Sequence, residues 1–312
     1  MTISRTPRRA QIDTFFTCQH PEQFRIDWRG FYQRAEILTD QVRSRWDHEL
    51  DISYGPSEFH RMDLYLPNDR SGGDRRPIVL FLHGGGFREG DPTLYGYLAE
   101  PFLARGIAFA SVGYRLTPEA FLPETFGDLE NAIAWLVANG ATRGVDTARL
   151  ALSGHSAGAI LTAHLAVRDD WLEARSLPRD LIKAAIPISG VYDFTDPGER
   201  REFFTADSDR AAASPLRRIT KTPPPMLVAY GSDENQPTYG TDSARLVDAV
   251  RAHGGTAELL ELEGMTHADT AHALSDDSSA LFQSVMALFA RAGLGSAGQR
   301  DEVRPGLVRG SS

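Results

Sequence analysis

Gly154-His155-Ser156-Ala157-Gly158 forms a Gly-x-Ser-x-Gly pattern between the apolar run Leu150–Ser153 and a second apolar stretch, Ala159–Ala166. If the first run is a strand and the second a helix, the serine sits on a sharp strand-to-helix turn. Glycines there let backbone and helix approach closely, and the turn holds the hydroxyl out above a sheet. The helix N-terminus beneath it favours developing negative charge. This is the arrangement of a nucleophile for acyl transfer, and a serine needs a base to act as one. His267 ends Gly264-Met265-Thr266-His267, directly after the apolar run Ala257–Leu262, and is expected on the loop that follows that strand. His272 falls five residues on, at an expected helix start, and His253 ends a helical pattern.

The base in turn needs a carboxylate to hold its tautomer. Met226–Tyr230 runs into Gly231-Ser232-Asp233-Glu234. Asp233 is the expected acid, because a short carboxylate just past a glycine turn can reach an imidazole. Glu234 is the second choice, and Asp193 and Asp196 are weaker ones. The chain order Ser156, Asp233, His267 is the order such a triad follows in a strand–turn–helix setting. His83-Gly84-Gly85-Gly86-Phe87 follows the apolar run Ile78–Leu82, where the second half of an oxyanion hole belongs. Glycines expose backbone N–H groups with no side chain in the way. The expected donors are Gly85, Gly86 and Ala157. A phosphate-binding loop is disfavoured, because the third glycine of Gly-x-Gly-x-x-Gly falls on Glu89 and no Gly-Lys-Ser/Thr is present. His267 and His272 do not share a helix face as a His-Glu-x-x-His pair would, and the single cysteine, Cys18, rules out a thiolate cluster. No metal and no cofactor are expected.

These residues need elements to position them. Candidate strands are Leu50–Tyr54, Met62–Leu66, Ile78–Leu82, Ile107–Val112, Leu150–Ser153, Ala184–Ser189, Met226–Tyr230 and Ala257–Leu262. The first two alternate with period two, as half-buried antiparallel strands do. The later ones are nearly continuous in apolar residues, as parallel strands buried on both faces are. Helical patterns cover Phe126–Ala138, Ser243–Ala252 and Ala280–Ala290. Together they predict an α/β fold: a mostly parallel eight-stranded sheet with helices on both faces. Residues 1–46 read as an N-terminal helical cap segment, 47–294 as the catalytic domain, 193–225 as a lid insertion and 295–312 as a disordered tail. Removing residues 1–46 is expected to harm substrate selection more than the sheet, with Phe24, Trp28, Phe31 and Tyr32 packing over the site.

The chain has 312 residues, a hydrophobic fraction of 41% and a formal net charge of -9, an ordinary globular composition that argues against nucleic-acid binding. No apolar run follows the cationic N-terminus, and none is long enough to span a bilayer. A cytoplasmic protein is expected, without membrane or nucleic-acid partners and with a homodimer left open.

His83-Gly84-Gly85-Gly86, Gly154-His155-Ser156-Ala157-Gly158, Asp233 and His267 together resemble the hormone-sensitive-lipase-like and kynurenine-formamidase-like (arylformamidase) esterases of the α/β-hydrolase superfamily. Tyr54-Gly55-Pro56 with Met62-Asp63-Leu64-Tyr65-Leu66-Pro67 resembles the entry hairpin of the formamidase-like branch. Gly113-Tyr114-Arg115-Leu116-Thr117-Pro118 and Ser189-Gly190-Val191-Tyr192-Asp193 are similar to segments of that branch too. The likeness covers about residues 47–288. Two positions depart from it. His155 stands where the lipase branch usually has Asp, and Gly86 and Phe87 stand where the formamidase branch commonly has a bulky residue and Trp. The resemblance implies a serine carboxylesterase acting on short-acyl or aryl esters, with an arylformamidase acting on N-formylkynurenine-like aryl amides as the alternative. A ligand-binding homologue without catalysis is a third, weaker reading. The small-molecule ester or amide is expected to lie against Phe87, Tyr114, Tyr192 and Phe194. The polar composition of 193–225 (Glu199, Arg200, Arg201, Glu202, Asp207, Asp209, Arg210) favours short acyl groups over long-chain lipids.

Overall fold

The computed structural model describes residues 27–68, 75–195, 203–206, 209–234 and 237–295. Eight strands form one sheet: β1 (Asp47–Ser53), β2 (Arg61–Leu66), β3 (Arg76–Leu82), β4 (Ala108–Val112), β5 (Val145–His155), β6 (Ile182–Ile188), β7 (Met226–Gly231) and β8 (Ala257–Leu262). Their spatial order is β1-β2-β4-β3-β5-β6-β7-β8. β1 pairs with β2, and β2 with β4, antiparallel; every later pairing is parallel. All eight predicted strands are present. β3 and β5 adjoin in the middle, so the loops at their C-terminal ends meet over the centre of the sheet.

The helices that matter to the site are α1 (Trp28–Arg45), α2 (Glu124–Asn139), α3 (Ala157–Val167), α4 (Pro237–Ala252), α5 (His267–Ala273) and α6 (Ala280–Arg291). Alternation within the strands splits the core. Val79 and Phe81 of β3 pack with Phe31 and Tyr32 of α1 and Phe282 and Phe289 of α6. Ile78, Leu80 and Leu82 point the other way, to Leu129 and Ile133 of α2 and Leu161 of α3. α4 closes that second face beside α3 through Leu246, Val247 and Val250. A strand buried on both faces must be apolar at consecutive positions, which is why β3 and β4 read as unbroken runs.

Two strands differ from the expected patterns. β2 is buried at every residue from Met62 to Leu66, because α1 covers Tyr65 on one side while Met62 and Leu64 enter the opposite core. β8 is an edge strand, and it exposes Glu258, Leu259 and Glu261 instead of being buried on both faces.

α1 also corrects an expectation. It is part of the core: Phe31, Tyr32, Ala35, Thr39 and Val42 are buried. Asp27 caps its N-terminus by accepting from the Gly30 N–H at 3.0 Å. Arg43 in its last turn reaches the buried Asp63 of β2 at 3.2 Å. Removing residues 1–46 would therefore uncover part of a core face of the sheet rather than alter selection alone. Residues 1–26, residues 296–312 of the expected tail and parts of the expected lid lie outside the described residues. The described part of that insertion bears Phe203 and Phe204, both nearly buried, with Phe203 accepting a backbone hydrogen bond from Leu122 at 2.9 Å.

Candidate active site

β5 ends at His155 and α3 begins at Ala157, so Ser156 is the junction residue. Its backbone sits at φ 56°, ψ −117°, a region that L-residues rarely occupy. Holding a non-glycine residue there costs about 1–3 kcal/mol, supplied by the surrounding packing. Both flanking glycines are required by contact. A Cβ on Gly158 would lie 1.8 Å from the Leu82 carbonyl oxygen, and one on Gly154 would lie 2.3 Å from the Gly158 oxygen. The elbow is thus pressed against the end of β3.

The loop after β3 lies on this elbow. A Cβ on Gly84 would meet the His155 oxygen at 3.0 Å and Ser156 Cβ at 3.1 Å. Gly85 and Gly86 have φ of 116° and 58°. The N–H groups of Gly85, Gly86 and Ala157 have no hydrogen-bond acceptor among the described residues. The loop is braced from behind. His83 stacks between Tyr114, at 4.4 Å, and Tyr95, at 5.9 Å, and its Nδ1 donates to the Gly84 carbonyl at 2.8 Å. Burial pushes the His83 imidazole down to about 4, so it stays neutral. The Tyr114 hydroxyl donates to the His83 carbonyl at 2.7 Å.

His267 is the first residue of α5 rather than a loop residue. Thr266 caps the helix reciprocally with Asp269: Thr266 N–H donates to Asp269 at 3.0 Å and Asp269 N–H to Thr266 Oγ1 at 3.4 Å. The His267 ring is nearly buried, with Tyr239 of α4 stacked on it at 4.9 Å and Trp28 of α1 edge-on at 6.3 Å. Its Nδ1 lies 3.2 Å from Oε1 of Glu234, whose side chain is 1% exposed. Asp233, the acid expected from the sequence, is elsewhere. It is exposed to solvent, and its backbone N–H donates to the Met265 carbonyl at 3.2 Å. The reason is the turn after β7. Gly231 packs so close to Met265 that a Cβ would lie 2.1 Å from its oxygen, and Ser232 Oγ accepts from Gly264 N–H at 2.8 Å. With the turn stapled in this way, residue 233 faces out and residue 234 faces in.

Three further residues complete the network. His155 donates from Nε2 to the His267 carbonyl at 2.8 Å, its ring 4.6 Å from that of His267. Burial, then the neighbouring His267, hold His155 well below the usual histidine range. Thr270 Oγ1 donates to the His267 carbonyl at 3.0 Å and hydrogen-bonds Ser189 Oγ at 2.8 Å. The position of His155 beside the serine is readable from the motif; the roles of Tyr239, Thr270 and Ser189 depend on contacts far apart in sequence.

The expected substrate-lining residues divide. Tyr114 and Tyr192 are core residues: the first braces His83, and the second packs with α4 residues while its N–H donates to Asp242 at 2.8 Å. Phe87 and Phe194 are also buried, but against the insertion, Phe87 on Phe203 at 5.1 Å and Phe194 on Phe204 at 5.4 Å. Among the described residues no three His, Cys, Asp or Glu side chains gather to hold a metal ion, and no helix is long and apolar enough to cross a membrane.

The BD-FAE family profile matches residues 62–249, more than half of the chain, spanning the His83–Phe87 loop, the elbow and most of α4. The chain belongs to the BD-FAE family. It is 28% identical over 270 residues to esterase LipC of Mycobacterium tuberculosis, covering 79% of this chain and 66% of that protein. It is 30% identical over 155 residues to kynurenine formamidase of Danio rerio, covering 50% of each. The chain thus spans about half to two-thirds of the length of these curated relatives. Among solved structures, the butyrate-bound esterase 2 of Thermogutta terrifontis aligns with a TM-score of 0.65 at 23% identity, covering 81% of this chain and 96% of that one. The fold is that of the α/β-hydrolases.

Proposed function

We propose that this BD-FAE member is a carboxylic ester hydrolase that cleaves short-acyl or aryl esters through an acyl-enzyme on Ser156. The observation that carries the reading is a buried His267 held by Glu234 and packed on the ring of His155, the residue before a serine strained on a strand-to-helix elbow. His267 Nε2 takes the hydroxyl proton as Ser156 Oγ attacks the ester carbonyl. Glu234 accepts from Nδ1–H, fixes the tautomer and stabilises the imidazolium. The N–H groups of Gly85, Gly86 and Ala157 receive the oxyanion, and each such donor is worth about 10²–10³ in rate. Collapse breaks the bond to the leaving oxygen, which takes the proton from His267. Water then repeats the sequence and releases the acid. Phe87 and Phe194 stand with Phe203 and Phe204 as the wall against the acyl group, and Trp28, next to His267, stands on the leaving-group side.

A second reading, an aryl formamidase, is favoured by the Danio rerio relative and by the aromatic Trp28 beside the base. The same residues serve it. The added demand is protonation of the leaving nitrogen by His267. A fluorophosphonate should add mass at Ser156, and kcat/KM for phenyl acetate should exceed that for N-formylkynurenine. A tenfold preference for the formamide, about 1.4 kcal/mol in the transition state, would reverse the ranking.

A further inference from the structure

Glu89 closes the loop that carries the oxyanion donors. Its N–H donates to the Gly85 carbonyl at 3.1 Å, and its Cγ lies 2.8 Å from where a Gly85 Cβ would stand. The side chain therefore runs along Gly85 itself. The carboxylate accepts from the Tyr32 hydroxyl at 3.1 Å. No Lys, Arg or His forms an ion pair with it among the described residues. Burial pushes its carboxyl up to about 7.

A half-buried carboxylate without a cation is costly anywhere. Beside an oxyanion hole it costs twice, because a fixed negative charge opposes the negative charge that forms in the transition state. A cation brought by the substrate would remove both penalties. The location says which part of the substrate carries it. Tyr32 lies one turn along α1 from Trp28, and Trp28 stands edge-on to His267, the group that protonates the departing oxygen. The Glu89–Tyr32 pair therefore shares the face of α1 that carries Trp28 to His267, the side on which the leaving group departs in the proposed reaction.

We propose that Glu89, oriented by Tyr32, is a specificity site for a protonated amine on the leaving group, so that the preferred substrates are esters of amine-bearing phenols or alcohols. This rests on the esterase reading above. The probe pair is 4-(aminomethyl)phenyl acetate and its near-isostere 4-ethylphenyl acetate, assayed with the full chain at pH 7.5. Intrinsic reactivity cancels when the ratio of their kcat/KM values is compared between wild type and Glu89→Gln. The expected result is a fall in that ratio of about tenfold or more, the worth of a charged hydrogen bond. Tyr32→Phe should lower it by a smaller factor. Benzylamine should also inhibit wild-type hydrolysis of 4-ethylphenyl acetate at least about tenfold more strongly than benzyl alcohol, on the same scale, a readout that needs no variant. An unchanged ratio with Ser156 still labelled by a fluorophosphonate, or equal inhibition by the amine and the alcohol, would overturn this inference alone. Failure of Ser156 to be labelled would overturn the esterase reading and this one with it.

Discussion

Oε1 of Glu234 and Nδ1 of His267 lie 3.2 Å apart, with the carboxylate almost wholly buried, while the adjacent Asp233 faces solvent. One step along the chain separates a residue that touches the His267 imidazole from one that faces away from it.

Glu234→Gln is accordingly expected to lower kcat on phenyl acetate by about 10⁴, the loss seen when a triad acid becomes an amide and the wrong tautomer is held. Asp233→Asn should stay within a few-fold of wild type. Steady-state kinetics on the two variants decides between them, and the opposite pattern would return the role to Asp233.

Ser156→Gly should abolish hydrolysis and fluorophosphonate labelling while raising stability by roughly 1 kcal/mol. Glycine reaches φ 56°, ψ −117° without the strain that serine bears, and part of that gain is offset by its greater freedom in the unfolded chain. Urea denaturation measures the gain; a loss of stability would contradict the strained-elbow account.

Gly85→Ala should reduce kcat by about 10²–10³ with circular dichroism unchanged. The added Cβ would meet the Glu89 carbonyl at 2.2 Å and would sit on a backbone with φ 116°. The loop must shift, and its N–H donors shift with it. The clash is with Glu89 of the same loop and not with a strand, so activity retained at wild-type level would show that these amides do not bind the oxyanion.

Stability should fall as pH drops from about 6.5 toward 4. Burial lowers His83 and His272 to about 4, and His155 and His164 lie well below the usual range. The unfolded chain binds protons at these four sites below about 6.5, the folded one does not, and the stability they contribute is lost on acidification. Asp63 and Glu89, raised to about 6 and 7, and Glu130, raised by burial, act in the opposite sense, because the folded state binds their protons more tightly. Four lowered groups outweigh three raised ones. A urea midpoint that stays level between pH 7 and pH 5 would refute this balance.

Trp28→Ala should narrow the preference for aryl over alkyl acetates several-fold while the protein stays folded. Trp28 is only partly buried, unlike Phe31 and Tyr32 on the same helix, so its removal spares the core contact of α1. The ratio of kcat/KM for phenyl acetate and ethyl acetate is the readout, and an unchanged ratio would remove Trp28 from the leaving-group side.

Ser156, the glycines around it and the His83–Phe87 loop are legible in the sequence because their geometry is local. A strand, a tight turn and a helix within a dozen residues leave the serine one place to stand, and three consecutive glycines after a strand leave the backbone bare. The central strands are equally legible, since burial on both faces of a sheet demands unbroken apolar runs. Which carboxylate meets His267 is not local. Asp233 and Glu234 are neighbours of similar chemistry, and their directions depend on a turn stapled to Met265 and Gly264, some thirty residues away. The same holds for α1. Its amphipathic pattern marks a helix, but only packing against β2 and the loop after β3 brings Trp28 to His267 and Tyr32 to Glu89, 57 residues on. Local backbone geometry follows from short-range sterics and can be read from adjacent residues; the partner that a side chain meets depends on how separate elements pack, and only the folded chain decides it.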